Sequence, residues 1–186
     1  MTTVLYAHPY DKSFNHAVLS EVTAALEAQG KPFSVIDLYA VGFNPALEAA
    51  SLRLYSRGET ADPLARKYLT TLLGSNELIM VFPVWWGMMP AIVKGFFDKV
   101  MLAGEAYGYS DAGELIPAKI SIGRTLMFTT SQNPTERFAP FFEDYFRRCV
   151  LDVVGMNNLE WHNCPLTSHG PEENRTRFLS LVRATV

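Results

Sequence analysis

Two segments of the 186-residue chain carry side chains unusual for simple connections. In His8-Pro9-Tyr10-Asp11-Lys12-Ser13-Phe14-Asn15, an imidazole and a hydroxyl stand where a helix would begin, beside the free backbone N–H groups of about residues 14 to 16. A helix N-terminus leaves its first N–H groups unpaired and partly positive, so this set could hold an anion such as phosphate without any glycine. The same residues also fit a Ser N-cap with His8 on an ordinary turn. Neither GxGxxG nor GxxxxGK[ST] occurs, which removes support for the usual dinucleotide and nucleotide-triphosphate loops. In Pro83-Val84-Trp85-Trp86-Gly87-Met88-Met89-Pro90, two indoles and two thioethers follow an apolar run where a polar turn is normal. Such groups need a ligand or a partner to cover them. Prolines stiffen both ends and leave the N–H groups of residues 84 to 87 free to face a flat heteroaromatic ring, against which an indole can lie. The other reading is that Trp85 and Trp86 seal a core or a contact between two copies.

The elements that must position these loops follow from periodicity. Short β-rich runs at 4–7, 33–38, 78–82, 124–129 and 159–161 alternate with segments of helical period. Phe14, Val18, Val22, Ala25 and Leu26 recur at helical spacing between Ser13 and Gly30, which predicts a helix over 14–29. Further helices are predicted over 63–73, 90–101, 135–154 and 171–183. Five strands joined by crossover helices imply an α/β fold, a doubly wound five-stranded parallel sheet in the flavodoxin-like order 2-1-3-4-5. Ligands bind such sheets at the carboxyl ends of the strands, at the switch point between strands one and three. That address selects three loops, 8–13, 83–89 and 130–134. The connections 39–62 and 103–123 are long and punctuated by Gly and Pro.

Composition removes several classes. Apolar residues at 48% and charged residues at 19% predict one globular domain over 1–186 rather than a disordered or coiled-coil chain. A net charge of −3 leaves no basic footprint, so nucleic acid is excluded as a partner. Cys149 and Cys164 lack metal-site or disulfide spacing and read as reduced, small buried hydrophobes, which places the chain in the cytoplasm; no metal is expected. The longest uncharged stretch, 78–93, is too short and too interrupted by Pro and Gly to span a membrane. The start of the chain reads directly as a strand, not as a signal peptide.

The ordered series His8…Ser13-Phe14-Asn15, Asp37-Leu38-Tyr39 with Phe43-Asn44-Pro45, Phe82-Pro83-Val84-Trp85-Trp86, the run from Pro90 to Val100, and Tyr107-Gly108-Tyr109 resembles the NAD(P)H:quinone oxidoreductase (DT-diaphorase) family over nearly the whole chain. The resemblance implies a flavoprotein holding FMN, or alternatively FAD, that takes hydride from NAD(P)H and passes two electrons to a quinone or similar acceptor by a ping-pong route. It assigns the flavin phosphate to His8, Ser13, Phe14 and Asn15, and the ring to Pro83, Val84, Trp85, Trp86 and Gly87. Thr129, Thr130 and Ser131 complete the ring site. It implies a homodimer, with the segment 103–113 of each copy reaching toward the neighbouring flavin. The large apolar groups Trp85, Trp86, Met88, Met89, Tyr107 and Tyr109 point the same way. Where the family commonly has Thr-Thr-Gly-Gly followed by a Tyr and a His, this chain has Thr129-Thr130-Ser131-Gln132-Asn133-Pro134 and no Tyr or His before Tyr145. No catalytic side chain is therefore assigned. Rival readings are a regulatory flavoprotein subunit of a membrane transport system and a flavodoxin-type electron carrier.

Overall fold

The computed structural model describes all 186 residues. Strands β1 (Thr2–Tyr6), β3 (Glu77–Pro83) and β6 (Arg124–Thr130) are almost wholly buried, because helices cover both faces of the sheet they share. β2 (Phe33–Asp37) and β7 (Leu159–Cys164) form the edges, and all pairings are parallel in the order β2-β1-β3-β6-β7. This is the expected order 2-1-3-4-5 of the main sheet. The register aligns the carboxyl ends: Tyr6 lies opposite Val81, Pro83 opposite Thr130, and Thr130 opposite Cys164.

Two cores flank the sheet. α1 (Phe14–Ala28) and α5 (Glu172–Thr185) bury Val18, Val22, Phe178 and Val182 on one face. α3 (Pro63–Leu73) and α4 (Ala91–Val100) cover the other face, burying Leu69, Leu72, Val93 and Phe96. The long connections are more regular than the sequence suggests. The first contains a short helix, α2 (Ala49–Tyr55), and the second an antiparallel hairpin of β4 (Tyr107–Tyr109) and β5 (Leu115–Pro117).

The largest departure concerns the helix expected over 135–154. A 3-10 turn at Thr135–Arg137 leads into a wide π-helical segment, Pro140–Leu151, closed by a second 3-10 turn at Asp152–Val154. The Asp152 N–H donates to Arg147 O, five residues back, as π winding requires. The apolar row of this segment is plain in the sequence. Phe138, Phe142, Phe146, Val150 and Val154 recur at intervals of four. A row of this spacing stays near one face in an α-helix and in the wider winding alike, so it places the row on the core without choosing between them. Phe142 and Phe146 are buried, with their rings against Trp161 at 5.2 Å and Phe97 at 5.4 Å.

A buried cation ties the first long connection down. The Lys99 ammonium on α4 is ion-paired with Asp62, donates to Asn44 O at 2.9 Å and lies 5.2 Å from the Phe43 ring centroid. One turn earlier, Gly95 meets the backbone of Pro45 so closely that a Cβ there would sit 2.3 Å from its carbonyl oxygen. Of the two cysteines, Cys164 is buried as expected, but Cys149 is exposed, on the wide helix where it lines an open apolar groove.

Candidate functional site

The loop after β1 folds as the spacing predicts. Ser13 caps α1, its Oγ accepting the His16 N–H at 3.1 Å, so that N–H is not free; those of Phe14 and Asn15 remain. His8 Nδ1 lies 3.1 Å from the Tyr10 nitrogen and 3.2 Å from the Tyr10 carbonyl oxygen, and in the tautomer that accepts the N–H, Nε2 carries the ring proton. Burial holds the imidazole below its ordinary pKa, partly offset by the Tyr10 backbone, so His8 is a neutral donor at pH 7.

Three strand ends then converge. His8, Ser13, Phe14, Asn15, Pro83, Val84, Trp85, Thr130 and Ser131 line one cavity of about 490 Å³, joined by Gln132, Thr167, Ser168 and Arg175. Gln132 lies in the loop 130–134 that the sequence selects, whereas Thr167, Ser168 and Arg175 were not legible as site residues. Arg175 stands in the first turn of α5, its Nη1 donating to Thr167 O at 2.9 Å, and it has no carboxylate partner. An unpaired guanidinium beside two free helix N–H groups is a strong phosphate cradle. Asn15 supplies a test of fit. It is 4% exposed, its Nδ2 donates to Thr130 Oγ1 at 2.8 Å, and its Oδ1 is buried with no donor. A buried acceptor left unpaired is costly, and a ligand hydroxyl in the cavity would satisfy it. A ribityl phosphate carries hydroxyls and an anion in one chain, so these residues fit that part of a flavin.

A second cleft of about 830 Å³ adjoins the first across Val84, Trp85 and Gln132; Trp86 and Gly87 face Asn133, Arg137 and Phe138 in it. Its floor is a tight reverse turn in which the Trp85 N–H donates to Met88 O at 2.9 Å and the Met88 N–H returns to Trp85 O at 3.1 Å. The Val84 N–H is taken by Thr130 O at 2.7 Å. Only the N–H groups of Trp86 and Gly87 are left for a ligand, not the four expected of residues 84 to 87. Thr129 also departs from expectation. Its side chain points behind the sheet end, where it bonds Asn163 and Trp161, and only Thr130 and Ser131 reach the cleft. No group of three or more His, Cys, Asp or Glu side chains is gathered where it could hold a metal ion.

Trp86 is fully exposed at 102% and adopts φ 52°, followed by Gly87 at φ 80°. Positive φ is costly for a bulky residue, and here no burial repays it. Two successive positive φ values suit Asn-Gly. Trp86→Asn should therefore raise thermal stability by about 1 kcal/mol while weakening ring binding. Calorimetry and flavin titration on the same sample check it, and a drop in stability would count against strain.

Residues 1–180 match the family described as having the flavodoxin-like fold, and the chain belongs to that family. A relative from Haemophilus influenzae, named an uncharacterized NAD(P)H oxidoreductase, is 30% identical over 164 residues, covering 85% of this chain and 80% of the relative. The ribosyldihydronicotinamide dehydrogenase [quinone] of Mus musculus is 30% identical over 131 residues, and this chain spans only 57% of its length. Among solved structures, a Streptococcus mutans protein superposes with a TM-score of 0.83 at 28% identity, covering 100% of this chain and 98% of that one.

Proposed function

We propose that the chain is a flavin-dependent NAD(P)H oxidoreductase that transfers two electrons to a quinone or similar small acceptor, both substrates using one site in turn. The observation that carries this reading is the meeting of an anion cradle and an aromatic cleft along one shared wall, Trp85 and Gln132. The naming of its relatives supports the same chemistry. A bound flavin would accept hydride from NAD(P)H at N5 and release two electrons to the acceptor. The chain's own residues do the rest. Arg175, Ser13, His8 and the N–H groups of Phe14 and Asn15 hold the phosphate, and Asn15 Oδ1 accepts from the ribityl chain. The Trp86 and Gly87 N–H groups and the Arg137 guanidinium bring positive charge to the ring, where charge stabilisation matters most. FMN is the cofactor proposed, with FAD the alternative.

The working unit in this proposal is a cytoplasmic homodimer. An apolar groove of about 540 Å³ runs from Met88, next to the ring turn, past Tyr107, Tyr109 and Leu115 of the hairpin to Tyr145 and Val150 of the wide helix. Tyr109 at 65% and Tyr145 at 61% are exposed, and an apolar surface of this kind suits a second copy. Of the apolar residues first taken to form this surface, Met89 is buried instead, at 7%. No helix is long and apolar enough to cross a membrane. Steady-state turnover with NADPH and a quinone, combined with light scattering, tests both points. Parallel double-reciprocal lines from a dimer are expected; a monomer with full turnover overturns the shared site, and absent turnover overturns the enzyme.

A further inference from the structure

Among the residues that line the ring cleft, Arg137 alone carries a formal charge, and no acidic side chain reaches the cleft to offset it. The backbone that presents Arg137 is held from both sides. Its 3-10 turn is closed by the Arg137 N–H donating to Pro134 O at 3.2 Å and the Phe138 N–H donating to Thr135 O at 2.9 Å. Phe138, 6% exposed, pins one end of this turn to the core, and at the other Thr135 Oγ1 accepts Asn163 Nδ2 at 3.0 Å. Arg137 itself is exposed and takes part in none of the ion pairs of the fold, not even with its neighbour Glu136.

Arg175 in the adjoining cavity is also without a carboxylate, but it stands with the helix N–H groups that would hold the single phosphate of FMN. No such anion accounts for Arg137. The walls around it are flat and apolar at Trp85, Trp86 and Phe138, while the Gln132 amide is turned aside to donate to Ser168 Oγ at 2.7 Å. At about 830 Å³ the cleft is large among ligand pockets, which run from roughly 300 to 1,000 Å³, so a second flat molecule has room against a flavin ring.

We infer that Arg137 sets acceptor specificity: the cleft prefers a flat aromatic acceptor carrying an acid group, a carboxylate or a sulfonate, over a neutral one of similar shape. The inference rests on the flavin reading above and deepens it. A guanidinium offers five N–H donors in a planar fork, enough to serve the ring edge and to hold a two-oxygen acid group together. Bonds between ionised partners are stronger than neutral ones, and more so beside apolar walls than in open water. Because Arg137 has no ion pair to break, binding of the acid group loses nothing in exchange.

The test is an equilibrium titration of the FMN-loaded chain, followed by the visible flavin band, with anthraquinone-2-sulfonate and with neutral 2-(hydroxymethyl)anthraquinone. NADP⁺ serves as a redox-inert stand-in for the reductant. The neutral quinone registers any general damage to the cleft, so the ratio of the two quinone affinities reads the charge alone. Wild type should bind the sulfonate about tenfold or more tightly than the neutral quinone, as a charge-assisted contact implies. Arg137→Gln should bring the two within about threefold, Arg137→Glu should reverse the order, and Arg137→Lys, a point charge without the fork, should keep part of the preference. A wild type that binds both quinones alike, or a preference that survives Arg137→Gln, overturns the inference and leaves the flavin reading standing. Weakened NADP⁺ binding in Arg137→Gln with the sulfonate unchanged assigns the guanidinium to the reductant and likewise overturns it. A chain that takes up no FMN overturns it together with the flavin reading.

Discussion

Ser13→Asp is expected to weaken FMN binding by about a hundredfold or more, because a carboxylate would face a phosphate at roughly 4 Å, worth about 4 kcal/mol at the effective dielectric of a partly wet site. The variant separates two roles that Ser13 combines. As the cap of α1, its oxygen accepts the His16 N–H, and Asp serves equally well in that position. Aspartate would also favour the positive end of the helix. Apo-protein stability should therefore be unchanged or raised while cofactor affinity collapses. Calorimetric melting without flavin and titration with it give the two values. Unchanged affinity would leave Ser13 as a helix cap alone.

Asp62→Ala is expected to destabilise the fold by about 4 kcal/mol, since it strands a buried ammonium and removes a helix cap together. The Lys99 side chain is 3% exposed and Asp62 18%, and Asp62 Oδ1 also accepts the N–H groups of Leu64 and Ala65 at 2.9 and 3.3 Å. Burial would raise the Asp62 pKa, but Lys99 and the two N–H groups outweigh it and hold the carboxyl below its ordinary value. A depressed folded-state pKa means that this stability is fully present above the unfolded value near 3.9 and is lost as pH falls through the folded one. Urea unfolding at pH 7 and in acid should thus show wild type converging on the variant only in acid. Asp62→Asn keeps a cap and isolates the charge, and adding Lys99→Met to it should restore most of the loss.

The central strands were legible because burial on both faces writes a continuous apolar run, as in Leu78 to Phe82. β7 was cut short at Trp161 because an edge strand reads Leu159-Glu160-Trp161-His162-Asn163-Cys164, half polar. That truncation hid the loop holding Thr167 and Ser168, and with it the position of Arg175. The wide helix satisfied an α-helical template because apolar residues four apart fit both windings. In the ring turn, Gly87 suits a positive φ but Trp86 before it does not announce one, so the loss of two N–H donors to internal bonds was invisible. Thr129 was misplaced by strand alternation: adjacent residues on β6 face opposite ways, and only one of two threonines could enter the cleft. The phosphate cradle, by contrast, depended on local rules of helix termini, and His8, Ser13, Phe14 and Asn15 all line it.

The most direct test is to denature the purified chain, after reconstitution with a mixture of FMN and FAD, and identify the released flavin by mass spectrometry. The account predicts a yellow protein that releases FMN, one per chain, with the ring band resolved while bound. A chain that stays colourless after reconstitution would contradict it.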